Sequence, residues 1–117
     1  VVGYRNALKW IHASYPRMTV SPTTIRKLHK LAQGGLISDA GKWKTKDNET
    51  VEFSSSGDRK TRFKCVSAHD TPAAITSLCE AYNFNIERRT LPDLITISNF
   101  ILDFLCIHPF RDGNGRV

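Results

Sequence analysis

With 117 residues, the chain is long enough for one domain around one core and too short for two. Its 40% hydrophobic and 24% charged residues are ordinary for a globular protein, and a net charge of +6, from 17 basic and 11 acidic residues, favours a polyanionic partner such as a nucleotide. No window offers the roughly 18 consecutive apolar residues of a membrane span; no secretory leader is visible; and Cys65, Cys79 and Cys106, odd in number and without zinc-site spacing, fit a reducing, cytoplasmic compartment.

In "VVGYRNALKWIHASYP", Val1, Tyr4, Leu8, Ile11 and Tyr15 recur at steps of three and four, which predicts a helix buried on that face and stopped by Pro16. No capping residue precedes Val1. "SPTTIRKLHKLAQGG" reads as a second helix, capped by Ser21, opened by Pro22, closed by Gly34 and Gly35, and packed through Ile25, Leu28 and Ala32. From Gly41 to Val66 the pattern changes to two β-forming runs, "KWKTKDNETVEF" and "RKTRFKCV", joined by "SSSGD". This predicts an exposed hairpin over about residues 42–66, basic on both faces through Lys42, Lys44, Lys46, Arg59, Lys60, Arg62 and Lys64.

Helix resumes at "TPAAITSLCEAY", with Thr71 as cap and Ile75, Leu78, Cys79 and Tyr82 as the buried stripe. The last helix comes from "TLPDLITISNFILDFLCIHP": a Thr90–Asp93 capping box opens it, and Pro109 ends it by disfavouring helical geometry at His108. From Leu91 to Ile107 it is apolar almost all round, with Asp93, Thr96, Asn99 and Asp103 in one narrow stripe, as in a helix at the centre of a bundle. The expected fold is mainly α: one helical-bundle domain over 1–117, with a central buried helix, a loop at its C-terminus and a small β-hairpin.

That loop, "HPFRDGNGRV", has no apolar periodicity, but each of its residues suits a phosphate site. Gly113 and Gly115 permit backbone angles closed to other residues, and Asn114 tolerates left-handed geometry, so successive amides can converge into an anion nest. A helix starting near Gly115 would aim its free N–H groups at the same spot. Arg116 offers donors shaped for phosphate oxygens. Asp112 offers a hard oxygen for Mg²⁺, which takes one or two carboxylates plus substrate phosphates. His108 can take a proton from a hydroxyl near pH 7. Phe110 reads as an apolar peg that anchors the loop. Singly, each feature has a bland reading as a turn, a helix-end histidine or a surface ion pair.

Together they resemble the signature of the Fic family, H-x-F-x-[DE]-G-N-G-R-x-x-R, with His108, Phe110, Asp112, Gly113, Asn114, Gly115 and Arg116 all matching. At about one in twenty per position, seven matches arise by chance on the order of once per 10⁹ windows. The resemblance implies an all-helical core, a motif loop between two central helices and a β-hairpin flap. It implies transfer of AMP from ATP to a Ser, Thr or Tyr hydroxyl of a target protein, with release of pyrophosphate. In that reading His108 is the general base, and Asp112 holds Mg²⁺ between the α- and β-phosphates. Gly113, Asn114 and Gly115 form the anion hole, with Asn114 near the α-phosphate, and Arg116 steadies the phosphates. The target docks by β-strand addition to the flap, where Val51 and Phe53 are candidates to clamp the modified side chain.

The signature's second arginine would fall at position 119, past Val117, and with the uncapped first helix this points to a segment cut at both ends. No [ST]-x-x-x-E-[GN] inhibitory motif occurs, since "TKDNET" fails at Thr50; an inhibitory helix or antitoxin-like regulator is expected outside this stretch. Two rivals stand beside AMP transfer. One is transfer of another phosphate-containing group on the same fold, although the phosphorylating Doc branch has lysine where Gly115 stands. The other is a basic, non-catalytic binding module; nucleic acid is disfavoured because the hairpin lacks interleaved exposed aromatics. His12, His29 and His69 fit no metal spacing and read as structural or surface residues.

Overall fold

A computed structural model describes the backbone of residues 2–47, 49–53 and 59–117, with side chains described outside 48–64. Four helices, α1 (Val2–Ser14), α2 (Pro22–Gln33), α3 (Thr71–Arg88) and α4 (Asp93–Ile107), pack as successive neighbours. Short 3₁₀ turns follow α1 at Tyr15–Arg17 and close the chain's last loop at Asn114–Arg116. Among the described residues no helix is long and apolar enough to cross a membrane.

The punctuation of α2 is as expected: Ser21 Oγ accepts the Thr24 N–H at 3.2 Å, Pro22 opens the helix and Gly34 caps it. The predicted stripe of α1 is not what it buries. Tyr4, Leu8 and Tyr15 are exposed and Ala7 is buried, while Val1 lies outside the described residues. The reason is a close approach to α2, because a Cβ on Gly3 would sit 2.4 Å from the Ala32 carbonyl oxygen. Small residues bring the two backbones together and push the large ones aside.

Two expected caps also fail. Thr71 is the first helical residue, and its hydroxyl donates back to the Ser67 carbonyl at 2.8 Å. Pro92 occupies the N-cap of α4, where no side chain caps the helix, so the Thr90–Asp93 box does not form.

The core joins Ile25, Ile75, Leu78, Cys79, Phe104, Ile107 and Phe110, with Val20, Trp43, Val66, Ala74 and Phe100 packed against it. Thr96, Phe104 and Ile107 of α4 are buried, but Leu94, Ile101 and Leu102 are 73%, 52% and 62% exposed. The expectation of burial all round is therefore corrected. The side of α4 that carries Thr96, Asn99 and Asp103 lines a cleft with Leu78, Tyr82 and Asn85 of α3, and the opposite apolar side faces outward.

Strands β1 (Glu49–Phe53) and β2 (Arg59–Lys64) pair antiparallel, Glu49 opposite Lys64 and Phe53 opposite Arg59, with a register shift between Thr50 and Val51. Residues 42–47, expected in the first strand, are turn and irregular backbone instead. The side chains of Val51 and Phe53, named as target clamps, lie outside the described residues. Residues 1–38 hold six of the 17 basic residues and none of the acidic ones, so the whole net charge of +6 falls on α1, α2 and their flanks.

Candidate active site

The loop after α4 turns sharply at His108, which adopts left-handed geometry (φ 52°, ψ 62°) while its N–H still bonds the Phe104 carbonyl at 3.0 Å. A positive φ on a residue with a Cβ is uncommon and is held only where the surroundings enforce it. Here Pro109 and Phe110 follow directly into the core, with no exposed surface left on Phe110. The loop then closes on itself. The Phe110 N–H donates to Asn114 Oδ1 at 2.8 Å, and Asn114 Nδ2 donates to the Phe110 carbonyl at 2.7 Å. The Asn114 side chain is thus spent inside the loop, and any part it takes at a phosphate falls to its backbone. Gly113 sits at φ 81°, where an added Cβ would also lie 2.9 Å from Cδ of Gln33. In place of the helix expected near Gly115, Asn114–Arg116 form a single 3₁₀ turn, with the Arg116 N–H on the Gly113 carbonyl at 3.2 Å.

Two elements seat this loop from below, α2 and the turn at 39–44. His29 is 1% exposed and lies flat on Phe110, ring centroids 3.7 Å apart and planes within 2°. The Gly41 N–H donates to its Nδ1 at 2.9 Å, so Nδ1 presents a lone pair; Nε2 carries the proton and donates it to the Asp112 carbonyl at 2.7 Å. Trp43 tilts against the same phenylalanine, 5.1 Å between centroids. Asp39 takes a fork of two hydrogen bonds from Arg111, at 2.8 and 2.9 Å, and that pairing holds the Asp39 carboxyl below its usual pKa.

Lys44, expected on an exposed hairpin, is instead 5% exposed. Its N–H donates to the Pro109 carbonyl at 2.8 Å, and its Nζ donates to the carbonyls of Ile107 and Val66. The C-terminus of α4 would otherwise leave that Ile107 carbonyl without a helical partner, and a buried carbonyl needs one. Burial pushes the Lys44 pKa down.

The pKa of His108 is lowered, first by burial and then by the Lys44 charge; a hydrogen bond to the Leu105 backbone and the Asp112 carboxylate partly offset this. The Lys44 charge that adds to this lowering comes from a segment far from His108 in sequence. The lowered value leaves the imidazole neutral near pH 7, the form that accepts a proton. His29 is also lowered by its burial.

The Asp112 carboxylate is 55% exposed, and both of its hydrogen bonds, from the Gly113 N–H (2.7 Å) and Arg116 (3.2 Å), fall on Oδ1. No group of three ligating side chains occurs among the described residues. A lone, half-exposed carboxylate fits Mg²⁺ as one ligand beside phosphate oxygens and water, and does not make a cage by itself. The outer side of the loop, at Asn114 and Gly115, borders an apolar cavity of about 710 Å³ between α2 and α4.

Of the residues singled out from sequence, His108, Phe110 and Asp112 to Arg116 thus share one closed loop. Sequence reasoning missed His29 and Lys44. A signal existed for His29: Ile25, His29, Ala32 and Gln33 lie at i, i+4, i+7 and i+8, one face of α2, and all four are buried. None existed for Lys44, whose partners are backbone carbonyls far along the chain.

The profile of the Fic/DOC family matches residues 19–117. No curated protein matches the chain. Among solved structures, a Fic domain containing signaling protein from Bacteroides thetaiotaomicron VPI-5482 aligns with a TM-score of 0.73 and 27% identity, over 98% of this chain and 41% of that one. A Fic family protein from Desulfovibrio desulfuricans G20 aligns with a TM-score of 0.67 and 23% identity, over 96% and 32%. The N-terminal Fic domain of a Bartonella effector protein from Bartonella sp. AR 15-3 gives 0.59 and 19%, over 97% and 56%. The last two share the fold, and the chain spans less than two thirds of the length of all three.

Proposed function

The chain belongs to the Fic/DOC family, and on that premise we propose that the protein carrying it transfers AMP from ATP to a hydroxyl side chain of a target protein. The observation that carries this reading is the closed loop at 108–116. It holds a neutral imidazole, a half-exposed carboxylate and an arginine on one turn anchored by the buried Phe110 and Asn114. Chemistry at a phosphate leaves a protein mainly positioning and charge stabilisation to supply, and this turn is built for both.

His108 accepts the proton of a Ser, Thr or Tyr hydroxyl as its oxygen bonds to the α-phosphorus of ATP, and the bond to pyrophosphate breaks. A base in this position contributes about 10²–10⁴-fold. Backbone amides of Asn114 and Gly115, joined by that of Gly113 once it leaves the Asp112 carboxylate, face the phosphates, and Arg116 balances their charge. Asp112 would hold Mg²⁺, which would neutralise charge on the phosphates. The target segment adds along the edge of β1 or β2, with Val51 and Phe53 against the modified side chain.

Glycine at 115, where the phosphorylating branch has lysine, supports nucleotidyl over phosphoryl transfer. The positive charge of residues 1–38 would suit a non-catalytic polyanion-binding module equally well, but it does not account for the loop. The test uses the full-length protein and its His108→Ala variant, with ATP labelled at the α- or the γ-phosphate. The parent should pass the α-label to protein and not the γ-label. The variant should lose transfer by at least ~10²-fold while calorimetry shows nucleotide affinity largely kept. Transfer of γ-label, or an alanine variant near the parent rate, would overturn the assignment.

A further inference from the structure

We propose that His29 is a positioning residue for the phosphate site: its ring fixes where the Asp112 carboxylate and the Gly113 amide stand. This rests on the reading of the loop given above, but the geometry behind it is separate.

The imidazole is a spacer with three fixed faces. One edge accepts the Gly41 N–H at 2.9 Å, the opposite edge donates to the Asp112 carbonyl at 2.7 Å, and the flat side stacks on Phe110. These contacts specify a single tautomer and ring orientation, so the distance from the Gly41 turn to Asp112 is set by a rigid five-membered ring. The Asp112 carbonyl and the Gly113 N–H belong to one planar peptide unit, and the Asp112 carboxylate accepts from that N–H at 2.7 Å. Gln33, one turn along α2, fills the space in front of Gly113 where a Cβ would clash. One helix face therefore fixes both the peptide that carries the carboxylate and the glycine that begins the nest. The rest of the loop is tied elsewhere, through Asn114 to Phe110 and through Lys44 to Pro109. The Asp112 carbonyl has His29 as its tie from outside the loop.

Three substitutions separate the faces. His29→Phe keeps a flat aromatic ring that can stack, though a larger one, and loses both hydrogen bonds. His29→Asn keeps an acceptor where Nδ1 stands and cannot reach Asp112. His29→Gln places a donor near Nε2 and forgoes the Gly41 acceptor. Two readouts are taken on full-length protein that circular dichroism shows to be folded. The first is affinity for α,β-methylene-ATP, measured in Mg²⁺ and in EDTA. The Phe and Asn variants should lose about 10-fold or more in Mg²⁺, as for the loss of a residue that orients a metal ligand, and little in EDTA; Gln should return most of the loss. Equal losses in Mg²⁺ and EDTA, or a Gln variant no better than Asn, would overturn the proposal. The second readout, hydrogen exchange, needs no nucleotide. Exchange at the Gly113 and Arg116 amides should quicken in the Phe variant while the Leu78 and Cys79 amides of α3 stay protected. Unchanged loop exchange would overturn the proposal as well. A parent protein that binds no nucleotide would count against the proposed function instead, leaving His29 to be judged by exchange alone.

Discussion

α4 and the loop it feeds reverse the usual relation between hydropathy and burial. The helix is the most apolar stretch of the chain, yet Leu94, Ile101 and Leu102 stand more than half exposed. The loop carries an acid, two glycines, an asparagine and two arginines, yet Pro109, Phe110, Gly113 and Asn114 are buried. Burial follows the availability of partners. A helix satisfies its own backbone and buries only the side a neighbour covers, here α3. An irregular loop can be buried only if each polar group finds a partner. In this one the carbonyls of Ile107, Pro109, Phe110 and Asp112 all accept hydrogen bonds from Lys44, Asn114 or His29.

The strongest way to break that contrast is Phe110→Ala. The ring is fully buried, stacked on His29 and touched by Trp43, so its loss should cost about 3–5 kcal/mol. Urea unfolding measures this directly. A loss below about 1 kcal/mol would mean that the loop is not anchored by its peg.

Lys44→Met tests the hydrogen bonds with little change in shape. It leaves the Ile107 and Val66 carbonyls without the Nζ donor, at a cost of about 1–3 kcal/mol. It should also change the acid response. The His108 and His29 pKa values lie below the ordinary value of 6.5. As pH falls through that value the unfolded chain takes up protons that the folded chain refuses. Stability is therefore full above it and declines toward the lowered folded values. Removing the Lys44 charge lets the His108 pKa rise, so the difference in urea midpoint between pH 7.5 and 5.5 should shrink in the variant. A larger difference would contradict the assigned role of the Lys44 charge.

The smallest effect is expected on the other side of the comparison. Leu102→Lys, on the exposed side of α4, should change the stability of the 117-residue chain by no more than about 0.5 kcal/mol. A loss of several times that in the same chain would show the face to be covered in solution.

Local signals made much of this architecture legible in the sequence. Ser21, Pro22 and Gly34 bound α2 because caps act within a few residues, and Ile75, Leu78 and Cys79 of the α3 stripe are buried as their spacing predicts, with Tyr82 half-buried. Reading failed where tertiary contact decides. Gly3 against Ala32 redirected the packing of α1, and a lysine in a basic run became a buried donor because the free carbonyls of a helix end lay beside it. For the site, residue types in order marked the loop, but not what holds it. His29 looked like any histidine on a helix because its partners, Gly41 and Asp112, come from two other segments.

The hairpin's root has a consequence for the loop. Lys44 is bonded to the Pro109 carbonyl on one side of the hairpin and to Val66 on the other, and Asp47 accepts the Ala68 N–H at 2.7 Å across the same root. The root of the hairpin and the loop therefore share one lysine: its N–H and its Nζ hold the Pro109 and Ile107 carbonyls, one on either side of His108.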